Sequence, residues 1–266
     1  MIVSKTGICC TTTSCRTVLS KQRRQEMIRL TTNERMPIIE DDAYGDLWFE
    51  EKPPPPIKSM DKEGNFLYLG TLSKTVSPGL RIGWVTGPEP VIKRLADIKM
   101  QTDYGTSALS QWAAAKWLAE ACYEEHLAWL RKELKARRDA TLRFLQRYAG
   151  DITRWNVPAG SFYIWVTFHQ PLPVRRLFNQ ALTKNVLLNP GSVYDPDDRQ
   201  SLRLSYSYAA LPDIGKGIKV LAENGAAIED RAHEIKRGLL FNDRAECSGE
   251  YGGLLRSYFT AFQLFK

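Results

Sequence analysis

The types and spacing of a few residues are suited to chemistry. Lys74 lies in Gly70-Thr71-Leu72-Ser73-Lys74-Thr75-Val76-Ser77-Pro78-Gly79-Leu80-Arg81-Ile82-Gly83-Trp84, close to the hydroxyls of Thr71 and Ser73 and seven residues before Arg81. A lysine that is partly desolvated near a second cation can lose its proton and form a Schiff base with a carbonyl. Hydroxyls with an arginine make a phosphate cup, because the guanidinium fork binds phosphate oxygens in pairs. The same spacing also suits Lys74 and Arg81 as ordinary surface residues, since short motifs recur by chance. Two other segments carry suitable groups. Ile38-Ile39-Glu40-Asp41 brings a carboxylate to the end of a short apolar run, with Tyr44 three residues on. Leu202-Arg203-Leu204-Ser205-Tyr206 alternates, which sets Arg203 on the face opposite its two leucines.

These groups need elements to hold them. Ser20 can cap a helix with a stripe of Met27, Ile28 and Leu30, and Pro37 ends it. Ile38 to Asp41 then reads as a buried parallel strand, with Glu40 and Asp42 as solvated or structural carboxylates. Phe66 to Thr71 is a second strand, with Ser73 and Lys74 just past its carboxyl end, where ligands bind in open α/β sheets. Ile82 to Val85 is a third, and Pro53 to Pro56 make a stiff surface connection. Between Ser107 and Tyr148, leucines recur at helical spacing, predicting two helices or one bent helix. The basic run Arg131 to Arg143 within it reads as a solvated face with i,i+4 pairs. Residues 161–168 alternate as a half-buried strand in which Tyr163 and Trp165 are packing residues, and a helix follows Pro212-Asp213. Strands alternating with helices indicate an α/β fold with a smaller α+β domain behind it.

Residues 71–84 resemble the cofactor-lysine motif of fold-type I pyridoxal-phosphate (PLP) enzymes, in the class I/II aminotransferase branch. Ile38-Ile39-Glu40-Asp41-Asp42-Ala43-Tyr44-Gly45-Asp46-Leu47 resembles that family's preceding motif, with Asp41 33 residues before Lys74. Within the family the sequence is most similar to the aminotransferase-like domain of MocR-type GntR regulators, and next to 2-aminoadipate aminotransferases. The resemblance spans residues 17–222. It implies the PLP-dependent transferase-like (aspartate aminotransferase) fold, with a partial PLP-binding large domain at 17–126 and a small C-terminal domain at 127–225. An unmatched segment 1–16 and an unmatched tail 226–266 flank them.

The resemblance also implies roles. Lys74 would hold pyridoxal phosphate as an internal aldimine and serve as general base on the substrate Cα. Asp41 would face the pyridine nitrogen and keep the ring an electron sink. Tyr44 would reach the phenolic oxygen, Thr71, Ser73 and Arg81 would hold the phosphate, and Arg203 would clamp the substrate α-carboxylate. The implied reaction moves an amino group from an amino acid to a 2-oxo acid, in a homodimer. The alternative is an effector-sensing domain of a MocR-type regulator, and a third reading is an inactive fragment.

The sequence departs from the family upstream. The family's Asn-Pro-Thr-Gly motif falls at Thr13-Ser14-Cys15-Arg16, so Thr13 takes the asparagine's place. The glycine- and serine-rich phosphate loop and the ring-stacking aromatic residue have no counterpart before it. This predicts a truncated or frame-disturbed fragment. With no winged-helix region, the chain by itself is expected not to bind DNA.

Composition sets the outer bounds. The chain has 266 residues, 43% hydrophobic and 25% charged, which is enough to fill a core and excludes wholesale disorder. Mean hydropathy is −0.34 and no run is long and apolar enough for a bilayer, so no membrane partner is expected. The first residues lack the apolar stretch of a secretory signal. A net charge of +7 does not by itself indicate nucleic acid. Five cysteines (Cys9, Cys10, Cys15, Cys122, Cys247) are an odd set, which favours a reduced, cytoplasmic protein. His126, His169 and His233 lie at no zinc-ligand spacing, so no metal is expected.

Overall fold

The computed structural model describes residues 8–10 and 18–241, with side chains from 18 to 228. The chain divides into two compact units, Met1–Ile228 and Glu229–Lys266; the described part of the second, residues 229–241, is helical. The expectations for Thr13, Cys15 and Cys247 lie outside the described residues.

Four strands form the first sheet: β1 (Ile8–Cys10), β2 (Ile38–Asp41), β3 (Phe66–Thr71) and β4 (Gly83–Thr86), in that order. The first three are parallel and β4 is antiparallel to β3. Ile38 and Phe66 are register partners, both buried against Met27 of helix α1 (Lys21–Asn33) and Ile57. The serine at the head of α1 caps it as its position predicts: Ser20 Oγ accepts from the Arg23 amide at 3.3 Å. Its end is set before Pro37 is reached. Arg35 turns left-handed (φ 48°), and the Met36 amide donates back to the Thr31 carbonyl at 2.9 Å, a Schellman ending.

The alternation of β2 turns Glu40 inward. Its carboxylate is fully buried, accepting from the Ile57 and Lys58 amides at 2.8 Å each, with the buried Arg24 guanidinium 3.8 Å away. Arg24 also donates to the carbonyls of Leu19 and Pro55 at 3.0 Å. Glu40 is therefore structural: it ties β2 to the proline-rich connection and to α1.

The segment 107–148 resolves into two helices, α3 (Ala108–Ala119) and α4 (Cys122–Ala149), divided at Ala121 with φ 56°. Helix α2 (Glu89–Asp103) precedes them with no buried residue. A second sheet, order β5 (Thr153–Trp155), β6 (Tyr163–Phe168), β7 (Ser201–Ser205), is antiparallel throughout. Ile164 and Val166 of β6 pack with Leu127, Leu134 and Leu145 of α4 and with Ile214 and Ile218 of α6 (Leu211–Phe241). Helix α5 (Val174–Thr183) buries Leu177 and Ala181 beside Phe168 and Leu202. No described helix is long and apolar enough to cross a membrane.

Two expectations are corrected. Strand β4 is displaced by one residue from the expected 82–85: its pairing with β3 runs from Gly83 to Thr86, opposite Thr71 to Tyr68, and the Leu72 amide's bond to the Ile82 carbonyl at 3.1 Å closes the ladder just outside it. The basic run on α4 is only partly solvated. Lys135 pairs outward with Asp139 at 3.2 Å, whereas Arg138 is only 4% exposed and donates to Glu50 at 2.7 Å and to the Pro158 carbonyl at 2.8 Å. Arg131 donates to the Asp46 carbonyl at 2.7 Å and Arg137 to the Tyr206 carbonyl at 2.7 Å.

Candidate functional site

The sheet register gathers the candidate residues at one edge. Asp41 ends β2 and Thr71 ends the parallel β3, so both point the chain out of the same side. Gly83 opens β4 opposite Thr71, which brings Arg81 to that edge as well. Between them a tight turn carries Lys74. The Val76 and Ser77 amides both donate to the Leu72 carbonyl, at 2.8 and 3.1 Å. Thr71 Oγ1 accepts from the Ser73 amide at 3.0 Å and stands 3.0 Å from both Ser73 Oγ and the Ile82 carbonyl, so the two hydroxyls form one cluster. Arg81 is exposed and left-handed at φ 55°, a conformation that costs a non-glycine residue about 1–2 kcal/mol. Asp41 Oδ1 accepts from the Ala43 amide at 3.2 Å.

Tyr44 is placed by the loop that follows. The Phe49 amide donates to the Ala159 carbonyl at 2.9 Å, and the Ser161 amide to the Leu47 carbonyl at 2.8 Å, stitching this loop to the entry of β6. Gly160 permits the approach: a Cβ there would run into the Leu47 carbonyl. The Tyr44 ring consequently meets Phe162 edge-on at 5.6 Å and Tyr163 at 6.1 Å, and Lys74 Nζ sits 5.7 Å from its centre. Burial, a hydrogen bond with Tyr163 and the nearby Asp41 charge push the Tyr44 hydroxyl up, against the opposing pull of Arg203. Tyr44 is thus a neutral donor across the physiological range.

Arg203 lies at the other end of this series. It is half-buried on β7, and its guanidinium carbon stands 4.0 Å from the Tyr163 ring centre and 4.3 Å from that of Tyr194. Both rings thus lie within cation–π range of the guanidinium. Nε is buried with no hydrogen-bond partner, a costly state for a charged donor. The Arg203 amide donates to the Asn189 carbonyl at 2.8 Å, and Asn189 Nδ2 donates to the Tyr194 hydroxyl at 2.9 Å, fixing that ring.

The structure therefore joins Lys74, Tyr44, Tyr163, Arg203 and Tyr194 in sequence, and pairs Thr71 with Ser73. Asp41 and Arg81 reach the same edge through the backbone. Tyr163 is more than the packing residue its alternation suggests, since it floors Arg203. Tyr194 escaped sequence reasoning; its only signal is the Asn189-Pro190-Gly191 breaker that turns the chain back before β7.

Comparison with known proteins now has a geometry to explain. The aminotransferase class I and II family matches residues 8–214, beginning within the 1–16 segment and taking in β1. The HTH-type transcriptional regulator YisV of Bacillus subtilis (strain 168) is 69% identical over 207 residues, which are 78% of this chain and 43% of that one. The chain spans less than half the length of this relative. Among solved structures, the kynurenine aminotransferase of Pyrococcus horikoshii, crystallised with PMP, is 32% identical at a TM-score of 0.77, covering 80% of this chain and 53% of that one. LysN, the alpha-aminoadipate aminotransferase of Thermus thermophilus, complexed with N-(5'-phosphopyridoxyl)-L-leucine, is 26% identical at a TM-score of 0.75, covering 80% and 56%. Matched over most of its length, the chain belongs to the aminotransferase class I and II family and carries part of the aspartate aminotransferase fold.

Proposed function

We propose that this chain binds pyridoxal phosphate at the β2–β3 edge through Lys74 and holds an amino acid at Arg203, so that an amino group passes to a 2-oxo acid. The observation that carries this reading is the series Lys74, Tyr44, Tyr163, Arg203, which has an amine at one end and an orphaned, buried guanidinium Nε at the other. That pair is the complement of an amino acid's own carboxylate and the carbonyl group its amine must meet.

The donor set fits the cofactor. Thr71 and Ser73 offer adjacent hydroxyls and Arg81 a guanidinium for a phosphate, while Asp41 supplies a carboxylate for a protonated ring nitrogen. When bound, pyridoxal phosphate supplies an electron sink that makes the substrate Cα–H acidic. The protein's own groups do the rest. Arg203 would take the α-carboxylate on its guanidinium and so fix the orientation of Cα. Lys74 Nζ would serve as the general base that accepts the Cα proton. Tyr44, held neutral, donates its hydroxyl proton as a hydrogen bond at the cofactor's oxygen.

A second use of the same residues is amino-acid sensing without turnover, favoured by the 69% identity to a transcriptional regulator. Titrating purified protein with pyridoxal phosphate tests both. An absorbance band that Lys74→Ala abolishes is expected, and its absence overturns both readings. Adding a panel of amino acids then separates them. Loss of the band with release of a 2-oxo acid marks transfer, and a stable shifted band marks sensing.

A further inference from the structure

We infer that His126, at the head of α4, is a positioning residue for Lys74, acting through the backbone of the next residue; this rests on the cofactor reading above. His126 Nε2 lies 2.7 Å from the Thr75 carbonyl. A carbonyl only accepts, so Nε2 carries the proton and donates. The imidazole packs against two indoles, Trp117 at 5.1 Å and Trp129 at 5.7 Å. Thr75 itself is buried, and its hydroxyl is held from the same helix: Tyr123 donates to Asp46 at 2.7 Å and stands 3.3 Å from Thr75 Oγ1.

The first turn of α4 therefore grips Thr75 at two points, carbonyl and hydroxyl. On its amino side the turn is closed by the Leu72 carbonyl, which accepts from Val76 and Ser77. Ser73 and Lys74 lie between these two anchorages, with Lys74 directly before Thr75. The backbone direction of Lys74, and hence the reach of Nζ past Tyr44, is fixed only while both hold. Asp46 belongs to the Tyr44 loop, so the same clamp keeps the lysine turn and the tyrosine loop in one frame. A helix some 50 residues downstream thereby sets the position of the amine.

Two substitutions separate the hydrogen bond from the packing. H126Q keeps an amide N–H that can reach Thr75 but loses the ring; H126F keeps an aromatic ring against the indoles but loses the donor. Native-state hydrogen exchange reads the turn without any cofactor. H126F is expected to speed exchange of the Val76 and Ser77 amides about tenfold, and H126Q to leave it near the wild-type rate. The second readout is covalent capture. The Lys74 amine condenses with the pyridoxal phosphate aldehyde, losing water, and borohydride reduces the C=N bond to a stable amine counted by mass spectrometry. H126F should capture about tenfold more slowly, with H126Q restoring the rate. Binding of pyridoxine 5'-phosphate, which has no aldehyde and so reports the phosphate cup and the ring contacts without the lysine bond, should be unchanged in both. If H126F does not fold, H126N, too short to reach the carbonyl, replaces it. Unchanged exchange in the donor-less variant overturns the clamp, and faster exchange with unchanged capture overturns its role in positioning Lys74. A wild-type chain whose turn is clamped by this exchange test but which captures nothing overturns the cofactor reading instead.

Discussion

Arg203, the residue proposed to take the substrate carboxylate, is positioned by its neighbours. The Tyr163 and Tyr194 rings hold the guanidinium at 4.0 and 4.3 Å, and Nε is left buried without a partner. A planar fork so held favours a bidentate, in-plane acceptor, and a carboxylate is the simplest one. Lysine, a point charge on a flexible stem, cannot reproduce this. Arg203→Lys is therefore expected to weaken amino-acid binding on the order of 10–100-fold, the scale of a lost charge-assisted pair. Capture of pyridoxal phosphate at Lys74 should be unaffected, because Arg203 is placed at the substrate end. Titrating the Lys74-dependent absorbance band with an amino acid checks both halves. Tyr163→Leu should act in the same direction but more weakly, through loss of a stacking contact of about 1–2 kcal/mol.

At the scale of elements, the long helix α4 decides where the site residues stand. Leu127, Arg131, Leu134, Arg138, Thr141 and Leu145 follow i+3 and i+4 spacing, so Arg131 and Arg138 occupy core-stripe positions. Their guanidinium groups reach the Asp46 carbonyl, Glu50 and the Pro158 carbonyl. Two arginines on an apolar stripe were the readable sign that this basic run is not all solvated. Strands β2, β3 and β6 were legible because apolar runs or alternation mark them. Strands β1 and β5 have three residues each, too few for a period, and α2 has no buried stripe to announce it. The outward setting of Arg203 was legible from alternation alone. Its second aromatic contact was not, because Tyr194 arrives from a short 3₁₀ turn whose position depends on the fold of the whole segment. Gly160 is the corresponding hinge between the Tyr44 loop and β6. With a Cβ against the Leu47 carbonyl and no flexible side chain to give way, Gly160→Ala should destabilise the fold by about 1–3 kcal/mol. A lower urea midpoint with unchanged slope checks it, and a Gly160→Ala protein as stable as wild type would show that the backbone there can part without loss.

For the Met1–Ile228 unit as a whole, stability should depend on pH through carboxylates shifted in opposite directions. Burial pushes the Asp61 carboxyl up, but the Lys58 ammonium at 2.9 Å and the amides of Phe66 and Asn65, at 3.1 and 3.2 Å, more than offset it and hold it below the usual range. Glu50 is lowered by its hydrogen bond to Arg138, and Asp139 is lowered by Arg138 and Lys135 despite its own burial. A group whose folded pKa is depressed binds its proton more readily when unfolded. Its stabilising effect is therefore complete above the unfolded value and is lost as pH falls through the folded one. Glu40 runs the other way. Burial holds its carboxyl above 4.5, with the Ile57 and Lys58 amides only partly opposing, so its proton favours the folded state and its contribution declines as pH rises from 4.5 through the raised folded pKa. Asp61 gives the sharper test, because its side chain is 2% exposed and it sets the start of β3, the strand that delivers Thr71 and Lys74. Asp61→Asn keeps one acceptor oxygen and removes the charge. It should cost about 1.5–3 kcal/mol at pH 7, the worth of hydrogen bonds to a charged group. The urea midpoints of the wild-type protein and the Asp61→Asn variant, followed from about pH 7 to pH 3, should converge as Asp61 takes up its proton in the wild-type protein. Curves that stay parallel to the acid limit would mean that the loss at neutral pH comes from the shape of the amide and not from the charge.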